Sequence, residues 1–571
     1  MVVQIHPMKF NRLAFIVWLI SCCLTATAQV SDPANNKKIV CRTGAVVSAH
    51  PLASEAGLRM LKNGGNAFDA AIATQLALAV VYPGAGNIGG GGFLLAHLKN
   101  GKNICLDYRE RASAHAHRDM YLDSSGTPIP GLSQLGHLSC GVPGTVAGLF
   151  ATLPYARLPF KTLIAPAIRL ARDGFPVTAM QAFELNKAKG QFMRYNRKPV
   201  AFVKDSSWKA GDLLVQQELA ATLQRIARHG AKEFYEGITA GLIVAEMKAA
   251  NGIIDHKDLQ QYSVAKRTVT GFNYKGYQVL SMPLPSSGGI LLQQLMKMTA
   301  TKDIAAMGFH TTASVQLMAE AERRAYADRA MFLGDADFVK VPVKTLTSDR
   351  YLQQRIAGYT PGKAGSSELT GAGDVKESEE TTHISIVDKD GNAVAITTTL
   401  NDHFGSKTVV SGAGFLLNNE MDDFSIKEGY PNLYGVTGTA ANAIAPNKRM
   451  LSSMTPTIVL KNKLPYIIVG SPGGATIPTT VFQTLLNLLD FKLSPEAAVN
   501  SPKFHHQWLP DRIDIEETFP SAVADSLTAL GYLVKKRAPI GRTELIRITY
   551  HPVRQITAVA DIRGDDAAAG Y

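Results

Sequence analysis

What the chain lacks narrows its class before any motif is considered. Of its five cysteines only Cys41, Cys105 and Cys140 lie beyond the first 28 residues, and no C-x-x-C pair occurs. Three scattered thiols exclude a disulfide framework and allow one bridge at most. The sequence also has no Pro-rich linker and no internal repeat, so nothing in it divides the 571 residues into separate domains.

Clustered charge is missing as well. The formal net charge is +12, and removing Lys9 and Arg12 with an N-terminal leader leaves +10 (12 − 2). Lys and Arg are scattered, without the basic run that marks a nucleic-acid or membrane site. The sequence therefore predicts an ordinary basic surface and no nucleic-acid partner; nucleic-acid binding would instead require strongly salt-dependent retention on DNA.

The one long apolar run lies at the N-terminus. Residues 13–24 (LAFIVWLISCCL) follow two basic residues and precede the small-residue site Ala26-Thr27-Ala28. This order is typical of a secretory signal peptide over residues 1–28, with the mature chain beginning at Gln29. We expect export, with the periplasm as the location. A lipoprotein box ending at Cys22 is the competing interpretation and would tether the protein to a membrane.

Residues 381–401 (TTHISIVDKDGNAVAITTTLN) predict a β-hairpin. The first arm alternates apolar and polar residues, the second is β-branched, and Asp390-Gly391 is a strong short turn signal. A turn centred there pairs residues whose numbers sum to 781, which sets Thr399 opposite Thr382. A loop that differs by one residue sets Thr399 opposite Thr381 or His383. Either way, the hydroxyl of Thr399 comes near that of Thr381.

Thr381 has two interpretations. Most strand threonines are only β-formers. A threonine becomes a nucleophile when its own α-amino group, with an ordinary pKa of about 7.7–8.0, acts as the base. That requires a cut between Glu380 and Thr381. The preceding run, residues 362–380, is rich in Gly, Ser and charge, as expected of an exposed, flexible segment that can be cut.

These motifs resemble a known family. The segment TTHISIVDKDGNAVAITTTLND, followed in order by LLNNEMDDF, LSSMTPTIV and GSPGG, resembles the small subunit of the γ-glutamyltranspeptidases, also called glutathione hydrolases. The resemblance extends from near Val47 to Tyr571. It implies an α/β (α+β) fold, the four-layer αββα sandwich of N-terminal-nucleophile hydrolases. It also implies a precursor that cuts itself into a large subunit, residues 29–380, and a small subunit, residues 381–571, which together form one domain.

The resemblance further implies the reaction and its residues. Glutathione and other γ-glutamyl compounds would be the donors, and water or an acceptor amino acid or dipeptide would resolve the γ-glutamyl-enzyme, without a cofactor. The implied site residues are Thr381 and Thr399 for the attack, Gly473 and Gly474 for the oxyanion, Arg109, Ser452 and Ser453 for the substrate α-carboxylate, and Asn401, Glu420 and Asp423 for its α-ammonium. Residues 431–446 contain no charged residue. They match the family's lid, with Tyr434 as its aromatic residue.

Three patterns suggest cofactors or metals but are interpreted otherwise. Gly84, Gly86 and Gly89 form G-x-G-x-x-G, yet a helix precedes them and a strand follows, the reverse of a dinucleotide site, so we expect close backbone packing. The acidic run at 420–423 lacks the spacing of a calcium loop. Residues 504–508 (FHHQW) match no zinc motif and are interpreted as structural.

Two other functions remain open at this stage. An acylase of the same architecture that acts on a glutaryl or similar side chain would not need an ammonium acceptor. The presence of Glu420 and Asp423 alongside Arg109 therefore favours an amino-acid substrate. The third possibility is an uncleaved, inactive binding protein, which a denaturing gel showing only the full-length chain would support.

Overall fold

Two antiparallel sheets of seven strands each form the centre of the computed structural model, which describes residues 36–370 and 381–571. In chain order the strands are β1 (Lys38–Cys41), β2 (Ala45–Ser48), β3 (Gly91–His97), β4 (Asn103–Asp107), β5 (Phe175–Pro176), β6 (Leu213–Leu214), β7 (Ala265–Lys266), β8 (Thr270–Tyr274), β9 (Tyr277–Ser281), β10 (Thr382–Val387), β11 (Ala393–Thr399), β12 (Thr457–Lys461), β13 (Leu464–Gly470), β14 (Phe504–His505), β15 (Ile513–Glu516), β16 (Val534–Arg537), β17 (Glu544–Thr549), β18 (Gln555–Val559) and β19 (Ala567–Gly570). The first large sheet has the order β19-β2-β10-β11-β3-β4-β7 and the second the order β1-β18-β17-β13-β12-β9-β8. The remaining strands form two small sheets, β14-β15-β16 and β5-β6.

Helices cover the outer faces of both sheets. In chain order they are α1 (Pro51–Lys62), α2 (Ala67–Val81), α3 (Thr145–Thr152), α4 (Phe160–Asp173), α5 (Ala179–Tyr195), α6 (Gln217–His229), α7 (Ala231–Tyr235), α8 (Ile238–Ala249), α9 (His256–Gln260), α10 (Gly288–Thr299), α11 (Ile304–Met307), α12 (Thr312–Phe332), α13 (Val343–Leu346), α14 (Asp349–Ile356), α15 (Ile477–Leu489), α16 (Pro495–Asn500) and α17 (Ser521–Ala529). Single 3₁₀ turns lie at His137–Ser139, Leu153–Tyr155, Glu368–Thr370, Glu420–Asp423, Ala440–Asn442 and Gly474–Thr476.

The alternation of side chains along the strands divides the core into three apolar layers. Between the sheets lie residues such as Val47, Ile458 and Ile468. Their strand neighbours point outward, so that Val46 packs against the layer of α1 and α2. On the other side Val459 packs against the layer of α10, α12 and α15. Helix, sheet, sheet and helix therefore form four layers, which confirms the predicted αββα architecture.

The predicted hairpin is present, but its turn differs from the prediction. Paired residues sum to 780 rather than 781, with Thr382 opposite Thr398. The connection is a loop of five residues because the Asp388 carboxylate accepts the backbone N–H groups of Asp390 and Asn392, each at 2.9 Å. Gly391 takes the left-handed conformation, φ 91°, that its prediction as a turn residue requires. Of the alternatives left open by the sequence, the register that pairs Thr399 with Thr381 is the one observed.

Three sequence predictions lie wholly or partly outside the described residues: the leader with Cys22, Glu380 at the predicted cleavage point, and the part of the segment predicted as exposed that spans 371–380. Cys41, Cys105 and Cys140 are free thiols, so the single bridge that the sequence allowed is not formed among them. Within the described ranges no helix is both long and apolar enough to cross a membrane.

Candidate active site

The predicted nucleophile lies at the start of a central strand. Thr381 directly precedes β10 and is only 3% exposed. Thr399 ends β11, and its hydroxyl accepts the backbone N–H of Asn401 at 2.7 Å. Extending the register outward by one pair from Thr382 and Thr398 brings Thr381 opposite Thr399. Cross-strand neighbours have Cβ atoms about 4.5–5.5 Å apart, so the two hydroxyls lie on the same face of the sheet, at the end of these two strands.

A small cavity lies at this end of the two strands, and most of the predicted site residues line it. Its volume of about 20 Å³ has room for about one water molecule. Predicted residues that line it are Thr381, Thr399, Arg109, Asn401, Glu420, Asp423, Tyr434, Ser452, Ser453 and Gly474. Lining residues that the sequence did not single out include Arg329, Asn432 and Ala475.

Arg109 connects the two parts of the predicted substrate site. It is 1% exposed, and its Nη1 lies 2.7 Å from the Glu420 carboxylate. Its Nη2 donates to Asp423. Burial raises the pKa of Glu420 and of Asp423 above the ordinary range, while the charge of Arg109 opposes that rise. The group predicted to bind a carboxylate and the groups predicted to bind an ammonium are thus paired with one another.

Sequence reasoning missed two charged residues of this cluster. Glu110 is fully buried, its carboxylate lies 3.7 Å from Arg109 Nη1, and among the described residues neither of its oxygens has a hydrogen-bond partner. Arg329, on α12, donates from Nη2 to the Ser453 hydroxyl at 3.1 Å and from Nε to the Ser287 hydroxyl at 3.2 Å. The available signal for Arg329 was the density of charge in α12, a helix buried on nearly every side.

The two adjacent serines lie at the wall of the same cavity. Ser452 is 2% and Ser453 9% exposed. The Ser452 hydroxyl accepts the N–H of Met454 at 3.1 Å, and the Ser453 hydroxyl accepts from Arg329. Each oxygen is therefore held by a donor, which leaves each hydroxyl proton available to a carboxylate in the cavity.

Glycines shape the predicted oxyanion loop. Gly473 and Gly474 have φ angles of 131° and 51°, a region that residues with a Cβ rarely adopt. The 3₁₀ turn Gly474–Thr476 follows and leads into α15, so the loop lies at the positive end of a helix dipole. A Cβ on Gly474 would lie 2.4 Å from the ring of Tyr434. The Tyr326 hydroxyl, from α12, donates to the Ala475 carbonyl and fixes the loop from behind.

The segment predicted as a lid lies closed over the cavity. Tyr434 is 5% exposed, and its hydroxyl donates to the carbonyl of Asn401, two residues after Thr399. The N–H of Leu433 donates to the Asp422 carboxylate at 2.6 Å. Asn432 donates to Asp423 at 3.2 Å, which joins the lid to the acidic cluster.

The glycine-rich segment allows close backbone packing, as predicted. A Cβ on Gly86 would lie 2.2 Å from the Leu78 carbonyl, and one on Gly89 would lie 2.2 Å from the Leu416 carbonyl. Beside them, a Cβ on Gly90 would lie 2.1 Å from the Thr399 carbonyl. The absence of side chains thus lets this backbone support the strand that carries Thr399.

The four-layer αββα sandwich, with a threonine at the start of a central strand and a glycine loop that lines the same cavity, defines the class of N-terminal-nucleophile hydrolases. Comparison with known proteins narrows the class. The model of the γ-glutamyltranspeptidase family matches residues 53–571. The chain belongs to the γ-glutamyltranspeptidase family.

Individual relatives agree with this assignment. The chain is 43% identical to a glutathione hydrolase proenzyme of Escherichia coli, with 100% of both chains covered. It is similar to the crystal structure of a cephalosporin acylase from Bacillus halodurans, with a TM-score of 0.82 at 26% identity, covering 94% of this chain and 97% of the other. It is also similar to the γ-glutamyltranspeptidase of Helicobacter pylori, with a TM-score of 0.54 at 45% identity over 55% of this chain and 91% of that one.

Proposed function

We propose that this protein is a self-processing γ-glutamyltransferase and glutathione hydrolase whose nucleophile is Thr381. The observation that carries the proposal is the cavity in which Thr381 and Thr399 face a buried cluster of Arg109, Glu420 and Asp423. Membership of the γ-glutamyltranspeptidase family and the relation to a glutathione hydrolase proenzyme support it.

The first step creates the catalyst from the chain itself. The Thr381 hydroxyl attacks the carbonyl carbon of Glu380, the acyl group moves from the Thr381 nitrogen to its oxygen, and water hydrolyses the ester. The products are a carboxylate on Glu380 and a free α-amine on Thr381. Residues 29–380 then form the large subunit and residues 381–571 the small one. This division fits the shared core, because both sheets contain strands from before and after Thr381.

The second step uses that amine as a base. The Thr381 hydroxyl attacks the γ-amide carbon of the substrate and gives its proton to the Thr381 amine, which passes it to the departing amine of cysteinylglycine. Thr399 supports the hydroxyl. The N–H groups of Gly473 and Gly474 stabilise the oxyanion. Water or an acceptor amino acid or dipeptide then resolves the γ-glutamyl ester, which predicts ping-pong kinetics.

Substrate selection follows from the charge of the cavity. Arg109, aided by the Ser452 and Ser453 hydroxyls, offers donors to an α-carboxylate, and Glu420 and Asp423 offer acceptors to an α-ammonium. When an amino-acid substrate binds, its α-carboxylate pairs with Arg109 and its α-ammonium pairs with Glu420 and Asp423. No buried charge is then left uncompensated. Asn401, whose amide already donates to the Asn419 carbonyl at 3.1 Å, lies beside the acids and completes the ammonium site.

The alternative is an acylase that removes a glutaryl-type side chain, and the structural similarity to a cephalosporin acylase favours it. Turnover of a γ-glutamyl-anilide should be compared with that of the glutaryl-anilide, which differs only by lacking the α-ammonium. We expect a preference for the γ-glutamyl compound; preference for the glutaryl compound would instead establish the acylase. Export to the periplasm is proposed from the leader and is tested by cell fractionation, which would recover a membrane-bound form if Cys22 carried a lipid.

A further inference from the structure

The FHHQW segment, interpreted from sequence as structural, contacts the lid. The side-chain amide of Gln507 donates to the main-chain carbonyl of Tyr434 at 3.2 Å. Its Oε1 lies 2.9 Å from Nε2 of His505, and Nδ1 of His505 lies 2.8 Å from the Thr479 hydroxyl. All three side chains are at least nine-tenths buried. A continuous chain of hydrogen bonds therefore joins the lid to α15, the helix that follows the oxyanion loop.

The direction of each hydrogen bond is fixed by its partner. The Tyr434 carbonyl can only accept, so Gln507 presents its NH₂ group to the lid and its oxygen to His505. Nε2 of His505 must then carry the hydrogen, and Nδ1 accepts from the Thr479 hydroxyl, for which the Thr476 carbonyl at 2.9 Å is a second acceptor. Burial lowers the pKa of His505 to about 3, so the ring is neutral and keeps this single tautomer.

We propose that Gln507, oriented by His505, is a positioning residue that holds the lid closed through the backbone of Tyr434. The proposal rests on the proposed function, in which the lid covers the nucleophile. Because the bond is made to a carbonyl, it fixes the lid in place whatever side chain occupies position 434. The chain of hydrogen bonds ends at Thr479, on the first turn of α15. It therefore also fixes the position of the lid relative to the loop around Gly474, on which the Tyr434 ring packs.

Loss of this contact has a measurable consequence. The cavity of about 20 Å³ has room for about one water molecule, so we infer that the lid around Tyr434 opens when substrate enters. A neutral hydrogen bond contributes enough to change such an equilibrium about fivefold. The backbone N–H of Leu433 reports the change most directly, because in the closed lid it donates to the carboxylate of Asp422, which lies outside the lid.

The test is hydrogen–deuterium exchange of the lid, residues 431–446, in the substrate-free, processed enzyme. Gln507→Met keeps the length of the side chain but removes the donor, and we expect exchange of the lid to accelerate about fivefold or more. The matched control is Gln216→Met, because Gln216 is also buried and donates to a carbonyl, that of Val80, at 2.9 Å, with no hydrogen bond to the described lid or FHHQW segment. In the control, lid exchange should remain as in the parent.

Two results would overturn the proposal: lid exchange in Gln507→Met equal to that of the parent, or equal acceleration in Gln216→Met. Thermal midpoints of both variants show whether either result reflects general loss of stability. Steady-state kinetics give the second readout, in which KM for the γ-glutamyl donor should rise more than kcat falls, since the closed complex is weakened and the nucleophile is not touched. Absence of γ-glutamyl turnover in the parent would refute the proposed function, whereas exchange still tests the lid contact.

Discussion

The hairpin that carries the nucleophile and the lid that covers it are held in opposite ways. Strand β11 lies between β10, with six paired positions, and β3, with seven, and every residue of β10 and β11 is buried. The lid around Tyr434 is held by separate hydrogen bonds: Gln507 donates to the Tyr434 carbonyl, the Leu433 N–H donates to Asp422, the Tyr434 hydroxyl donates to the Asn401 carbonyl, and Asn432 donates to Asp423. The difference separates two tasks, since the reacting hydroxyl must not move and the cover must.

The largest expected effect comes from removing the nucleophile that the hairpin carries. Thr381→Ala removes the hydroxyl that cuts the chain and attacks the substrate, so the precursor should stay intact and turnover should fall by on the order of 10⁴-fold or more. A denaturing gel and an assay of γ-glutamyl-anilide cleavage measure both. The control is Thr382→Ala, the next residue, whose hydroxyl is buried without a hydrogen-bond partner among the described residues. Processing lost equally in both variants would contradict a specific role for Thr381.

A second change acts where the lid meets the oxyanion loop. Gly474→Ala places a methyl group where the Tyr434 ring lies and strains a left-handed backbone, φ 51°. Misplacing one oxyanion donor should lower kcat about 10²–10³-fold. Gly412→Ala is the control for strain alone, because Gly412 has a similar φ of 77° with no neighbour closer than 3.5 Å to an added Cβ. Equal losses of kcat in the two variants would reduce the effect to backbone strain.

A third change tests the hydrogen bond that holds the lid through Asp422. Burial raises the pKa of Asp422 to about 6, although Ser133 and the Leu433 N–H both donate to its carboxylate. The charged form holds the lid above that pH, and protonation weakens the contact below it. The parent's KM should therefore rise about fivefold as the pH falls from about 7 to about 5. Asp422→Asn should show the raised KM at both values, so a pH-dependent KM in this variant would exclude Asp422 as the cause.

The smallest effect concerns the hairpin's stability. Burial lowers the pKa of His383, in β10, to about 3, whereas an unfolded histidine titrates near 6.5. Between these values the unfolded state binds more protons, so stability falls as the pH drops, by at most about 1.4 kcal/mol per pH unit for this group. His383→Gln should flatten the acid side of the unfolding profile measured in urea, and the exposed His551→Gln should not. Identical slopes would show that other groups govern acid unfolding.

Local features of the fold were predictable because their causes are local. The bounds of α2, Ala67–Val81, follow from local sequence, since Asn66 caps it and its mainly apolar residues continue nearly all round. The hairpin register was left open between neighbouring pairings, because it depends on how Asp388 folds the loop. The resemblance supplied Arg109 and the acidic run, and the cavity does bring them together with Thr381.

Contacts distant in sequence could not be predicted from it. Arg329 meets Ser453 across 124 positions, and Gln507 meets the lid across 73. Neither residue lies in a motif, and both look like ordinary polar residues of a helix or a loop. Their roles arise only when the two sheets stack and bring α12 and the FHHQW segment to the same end of the molecule.

The central claim is that a backbone cut gives Thr381 the amine it needs. The most direct measurement is the N-terminal sequence of the smaller fragment of the purified, active protein. We predict that it begins Thr-Thr-His-Ile, with no intact chain required for activity. An active protein that remains a single chain, or a small fragment that begins at another residue, would contradict the account.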